Sequence, residues 1–131
     1  MKCISLLQIK TSKYISMKNY IHKYEEISTQ MEQLGMKIPA TMRGFSALHK
    51  ASVANGALPS KTKELISLGI AIAVRCDGCI AFHVHDALMG GATSEEILEN
   101  IGVAICMGGL PALVYGCEAM QALEQFKAVK Q

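Results

Sequence analysis

From Asn100 to Cys117 the chain runs for eighteen residues without a charge. A membrane-spanning helix needs about 20 predominantly apolar residues, so this stretch lies close to that limit. Its interior is broken, however, by Gly102, Gly108, Gly109, Pro111 and Gly116, and Glu99 and Glu118 flank it. Gly-Gly-Leu-Pro is the pattern of one helix stopping and another starting, because glycine ends a helix easily and proline fits a first turn. The stretch therefore reads as two buried helices joined by a tight turn, and no membrane partner is expected.

The same punctuation divides the rest of the chain. An amphipathic pattern begins at Met17 and runs to Leu34, before Gly35. Pro39 opens a second helix that ends near Asn55-Gly56, a good left-handed cap pair. Ser60 can cap a third through Ala73 or Val74. A fourth holds Cys76 to Leu88 and stops at Gly90-Gly91. Thr93 and Glu96 form a capping box for a fifth that continues to about Met107. Pro111 starts a sixth, which runs to about Lys127. The best strand candidate, Leu68 to Val74, is surrounded by helix formers and followed by no hairpin turn. The expected fold is all-α and single-domain, with about six helices in residues 17–131. Residues 1–16 fit neither helix nor strand and are expected to be a flexible arm.

Composition agrees with helix-on-helix packing. Half of the 131 residues are hydrophobic, but only 5% are aromatic and none is Trp. The apolar bulk is small aliphatic residues and eight Met, which suit helices better than a β-sandwich. A mean hydropathy of +0.25 is high for a lone soluble chain and points to a buried subunit interface. Net charge is only +2 and no run of five basic residues exists, so no nucleic-acid partner is expected. The five cysteines, Cys3, Cys76, Cys79, Cys106 and Cys117, are an odd set for a secreted disulfide framework. The N-terminal apolar patch is interrupted by Gln8 and lacks a small-residue cleavage site. A reducing cytoplasm is the expected compartment.

The chemistry concentrates between Glu64 and His85. On a helix, Cys76, Cys79 and His83 fall within about a 60° sector of one face. Cys79 and His83 are an i, i+4 pair, so sulfur and imidazole can touch. His85 points to the opposite face. A Cys-X-X-Cys at a helix start can close into a disulfide, and the free N–H groups there stabilise a thiolate. Arg75 adds positive charge beside it. A histidine one turn on can take the thiol proton. Glu64 is the only charge between Lys63 and Arg75, on a helix apolar on nearly every side. If the third and fourth helices pack antiparallel, Glu64 and His83 face each other with Cys79 close by, and a partly desolvated carboxylate suits proton transfer. The alternative for Glu64 is a surface ion pair with Lys61 or Lys63. The helix dipole favours Cys76 as the reactive thiol, whereas the neighbouring histidine favours Cys79.

Glu, eleven residues, Cys-X-X-Cys, three residues and His is a pattern that resembles the alkylhydroperoxidase D-like (AhpD-like) group of the carboxymuconolactone decarboxylase family. Glu64, Cys76, Cys79 and His83 match all four positions. Gly90-Gly-Ala-Thr and Gly108-Gly-Leu-Pro look similar to the family too, and the resemblance spans roughly Leu58 to Glu124. It implies an AhpD-like helical fold with the Cys-X-X-Cys at the start of the fourth helix. It further implies a thiol-dependent peroxidase or disulfide reductase, assembled as a homo-trimer or homo-hexamer. Cys79 would attack a hydroperoxide or small disulfide substrate and Cys76 would resolve it to a redox-active disulfide. Glu64 and His83 would relay the proton, and a dithiol electron donor would regenerate the pair. No cofactor and no metal are implied. One position departs from the pattern: the family's characterised peroxidase has a histidine before the second cysteine, where this chain has Gly78. Asp77 beside it opposes thiolate formation.

Several rival readings are open at this point. Two thiolates and His83, with His85 or another cysteine as fourth ligand, form a conceivable zinc set, but ligands on one continuous helix rarely surround a tetrahedral ion. His85 is a possible auxiliary to catalysis or a structural histidine. His22 and His49 lie on polar faces and are expected to be inert. Cys106 and Cys117 are expected in the core, and Cys3 as a free thiol. A lactone decarboxylase and a non-enzymatic redox-sensing module are the alternative functions, and the decarboxylase would have no need of a cysteine pair.

Overall fold

A computed structural model describes residues 17–129. The expected arm, residues 1–16 with Cys3, lies outside the described residues. Among the described residues there are five helices and no strand: α1 (Tyr20–Lys37), α2 (Pro39–Val53), α3 (Ser60–Ala73), α4 (Asp77–Met89) and α5 (Ser94–Val129). The all-α expectation holds. The difference from six lies in α5, which continues through the expected turn, with a single non-helical residue at Gly109 (φ 68°, ψ −155°). The sixth helix is thus the second arm of α5. That backbone conformation is essentially restricted to glycine, which is why the kink falls there.

Local chemistry sets the boundaries. Asn19 caps α1 by accepting from the His22 N–H. The helix passes through Gly35 and ends at Lys37, one residue before Ile38 and Pro39. The expected stop at Gly35 was wrong because proline, which excludes the helical backbone from the residue before it, is the stronger terminator. The expected cap pair Asn55-Gly56 has a different job. Gly56 is not among the positive-φ residues, and the Asn55 side chain accepts from the Ser60 N–H at 2.7 Å. Asn55 therefore caps α3 from five residues upstream, and Ser60 is the first helical residue rather than the cap. Thr93 and Glu96 form the expected capping box, the Glu96 N–H donating to Thr93 Oγ1 at 3.1 Å and the Thr93 N–H to Glu96 Oε2 at 2.8 Å.

Helices α3 and α4 end in the same turn. After α3, the Cys76 N–H donates to the Ala71 carbonyl at 3.0 Å and the Arg75 N–H to that of Ile72 at 3.2 Å. After α4, the Ala92 N–H donates to Ala87 at 2.9 Å and the Gly91 N–H to Leu88 at 3.2 Å. These are paired Schellman bonds, which need a left-handed residue between helix and exit. Gly91 fills that position with φ 89°, whereas after α3 it is filled by Arg75 with φ 60°. The turn at Arg75 delivers Cys76 directly to the N-terminus of α4.

The core lies between α3, α4 and α5. Leu68 and Ile72 of α3, Ile80 and Val84 of α4, and Ile97 and Leu123 of α5 are fully buried. Tyr20 pins the start of α1 to this core, its hydroxyl donating to Glu118 at 2.8 Å. By contrast, α2 buries no residue. By length and composition α5 would pass for a membrane span, but one line of it faces the core. The opposite line is exposed, Met107 at 82% and Leu110 at 73%. Cys106 and Cys117 belong to that outer side and are exposed, contrary to the expected core positions. The apolar circumference of α5 is wider than α3 and α4 can cover, so its sequence alone overstates how much is buried.

Candidate active site

Cys76 is the N-cap of α4, and its Sγ accepts from the Cys79 N–H at 3.2 Å. Cys76 and Cys79 are joined as a disulfide, with Cα atoms 5.2 Å apart. The helix start thus places one sulfur on the exposed N–H groups and brings the other round one turn, half-buried against the core. Because the two sulfurs bond each other, neither is available in this form as a thiolate ligand for a metal.

Glu64 is the one charged residue buried among the described residues, at 5% exposure. It does not pair with either lysine. Lys61 Nζ holds Glu96 at 2.8 Å and Lys63 Nζ donates to the Ala54 carbonyl. Glu64 Oε2 instead meets His83 Nδ1 at 2.8 Å, across the α3–α4 packing. An ionised carboxylate can only accept, so Nδ1 carries the hydrogen and Nε2 keeps its lone pair. Nε2 is therefore the basic atom of a histidine whose ring lines the same cavity as the two cysteines.

That cavity has a volume of about 500 Å³. Cys76, Cys79 and His83 form one wall, and Tyr24, Phe45 and Phe82 give the rest an apolar, aromatic character. Burial, and then the charge of Asp86, push the Tyr24 phenol above its usual range. His85 is turned the other way, Nδ1 to Asp86 Oδ1 at 2.8 Å and its ring 4.4 Å from that of Tyr24. The fold therefore does not bring His85 to the sulfurs.

Two features were not legible beforehand. Asp77, between the cysteines, is paired with Lys18 Nζ at 2.8 Å, and the same ammonium holds Glu118. Burial acts to lower the Lys18 pKa, but the hydrogen bonds it donates to Asp77 and Glu118 prevail and raise it. The charge expected to oppose a thiolate is thus countered from 59 residues away in sequence. His49, expected to be inert, lines the cavity with its ring 6.4 Å from that of His83. Its only sequence signal is that it is a histidine; its place depends on α2 packing against α1 and α3 so that it faces α4 across the cavity. His22, by comparison, is exposed on α1.

A model of the carboxymuconolactone decarboxylase family matches residues 39–122, which include all of these cavity-facing cysteines and histidines. An uncharacterized protein of Cupriavidus necator is 37% identical over 103 residues, covering 79% of this chain and 91% of that protein. Among solved structures, a carboxymuconolactone decarboxylase family protein from Legionella pneumophila is 44% identical with a TM-score of 0.79, covering 82% of this chain and 96% of that one. Another family protein, from Thermotoga maritima, is described as a candidate for an antioxidative response. It is 29% identical with a TM-score of 0.75, covering 82% of this chain and 92% of that one.

Proposed function

This chain belongs to the carboxymuconolactone decarboxylase family, and from that footing we propose that it is a thiol-dependent peroxidase or disulfide reductase of the cytoplasm. The observation that carries this reading is the convergence of the Cys76–Cys79 disulfide and the Glu64–His83 pair on one cavity. The antioxidative description of the Thermotoga relative points the same way.

In the reduced protein His83 Nε2 takes the proton of the Cys79 thiol, and Glu64 holds the resulting imidazolium. The Cys79 thiolate attacks the terminal oxygen of a hydroperoxide. An S–O bond forms, the O–O bond breaks, and an alcohol and a Cys79 sulfenic acid result. Cys76, whose sulfur the Cys79 N–H and the helix terminus stabilise as it gives up its proton, then attacks the Cys79 sulfur and expels water. On this reading the attack falls to Cys79, one helical turn from His83, and the resolving step to Cys76 at the helix N-terminus. An external dithiol reduces the disulfide and closes the cycle. A small disulfide substrate enters the same sequence with thiolate as the leaving group.

The exposed line of α5 fits covering by further copies of the chain, as the family resemblance implies. The test of the activity is hydroperoxide consumption with dithiothreitol as donor. Cys79→Ser abolishes it on this account, and an unchanged rate would refute the assignment.

A further inference from the structure

Breaking the O–O bond takes one proton off the thiol and puts one onto the departing alkoxide. His83 Nε2 accepts the first, and a second group across the cavity can supply the other as the bond breaks. Besides His83 and the two reacting cysteines, three side chains with a transferable proton face the cavity: Tyr24, Asp86 and His49. Asp86 is engaged by His85 at 2.8 Å. Tyr24 holds its proton more tightly than a free phenol, through burial and then Asp86. His49 remains. It comes from α2, across the cavity from α4, and its ring stands 6.4 Å from that of His83 at 35° between planes. That separation is too long for the rings to stack and leaves room between them for a reacting O–O or S–S bond.

We propose that His49 is the general acid that protonates the leaving group. This rests on the thiol-oxidoreductase reading above. In the first step the Cys79 proton passes to His83, the S–O bond forms, the O–O bond breaks, and the His49 imidazolium protonates the alkoxide to the alcohol. In the second step the Cys76 thiol proton returns to His49. The S–S bond forms at Cys79, and the hydroxide that leaves takes the proton from His83 as water. Two thiols and one hydroperoxide thus become one disulfide, one alcohol and one water, and both histidines return to their starting protonation.

The test compares leaving groups in the reduced full chain, with thiol loss followed in a single turnover. tert-Butyl hydroperoxide expels a strongly basic alkoxide that needs an acid, whereas 3-chloroperoxybenzoic acid expels a carboxylate that does not. His49→Gln lowers the tert-butyl hydroperoxide rate by about a hundredfold and the peracid rate by less than about threefold, a general-acid signature. An equal loss with both oxidants, the mark of a merely structural role, overturns the proposal. So does no loss with either. If the unaltered chain reacts with neither oxidant, the thiol reading itself fails and the proposal falls with it.

Discussion

Glu64 and His83, nineteen residues apart in sequence, meet at 2.8 Å across two packed helices and fix which nitrogen of the imidazole faces the cysteines. A buried carboxylate that accepts one hydrogen bond from a histidine both orients the ring and stabilises its protonated form.

Glu64→Gln keeps the side-chain volume but removes the charge that holds the imidazolium. Thiol oxidation by hydroperoxide is expected to slow by about a hundredfold, within the range of acid–base effects. His83→Ala is expected to destabilise the oxidised protein by about 2 kcal/mol in urea unfolding, because it strands the Glu64 carboxylate. A His83→Ala protein with unchanged stability would mean the pair is not formed in solution.

Arg75 and Gly91 occupy equivalent left-handed positions in the two Schellman turns. A side chain there costs about 1 kcal/mol. Arg75→Gly is therefore expected to stabilise the fold by up to about that amount, and Gly91→Ala to destabilise it similarly. Paired thermal melts check both signs.

Glu96 titrates below the usual carboxylate value, chiefly because of its hydrogen bond from Lys61 and then that from the Thr93 backbone. A depressed carboxylate contributes stability above its unfolded value of about 4.5 and loses it as pH falls through the lower folded value. Glu96→Gln is expected to be less stable than the unaltered chain at about pH 7 and to match it at about pH 2. Chemical unfolding at the two pH values reads the difference.

Met107 and Leu110 stand almost fully exposed on the outer line of α5. Exposed apolar patches of this kind mark interaction surfaces. Met107→Glu is expected to lower the mass measured by light scattering toward that of one chain, 14.1 kDa, without loss of helix content. A variant that keeps the mass of the unaltered protein would place the interface elsewhere.

Much of this was legible in the sequence where the signal is local. The Thr93–Glu96 box, the Pro39 start, the Gly91 exit and Cys76 at a helix N-terminus all follow from side chains acting within a few residues. The Glu64–His83 pair followed from helix period plus one assumption, antiparallel packing. What failed needed tertiary information. Asn55 looks like a helix end in the sequence, but its side chain reaches forward to start the next helix. His49 and Lys18 act through elements distant in sequence, and no periodicity predicts that α2 turns its histidine toward α4. The exposure of Cys106 and Cys117 was missed because apolar neighbours do not say which face of a long helix finds a partner.

The most direct measurement uses reduced Cys76→Ser protein, in which a sulfenic acid has no resolving thiol. One equivalent of tert-butyl hydroperoxide is added with dimedone, and the modified cysteine is located by mass spectrometry. The account predicts a dimedone adduct on Cys79 while exposed Cys106 and Cys117 stay unmodified. An adduct at Cys106 or Cys117 in its place, or none at all, would contradict it.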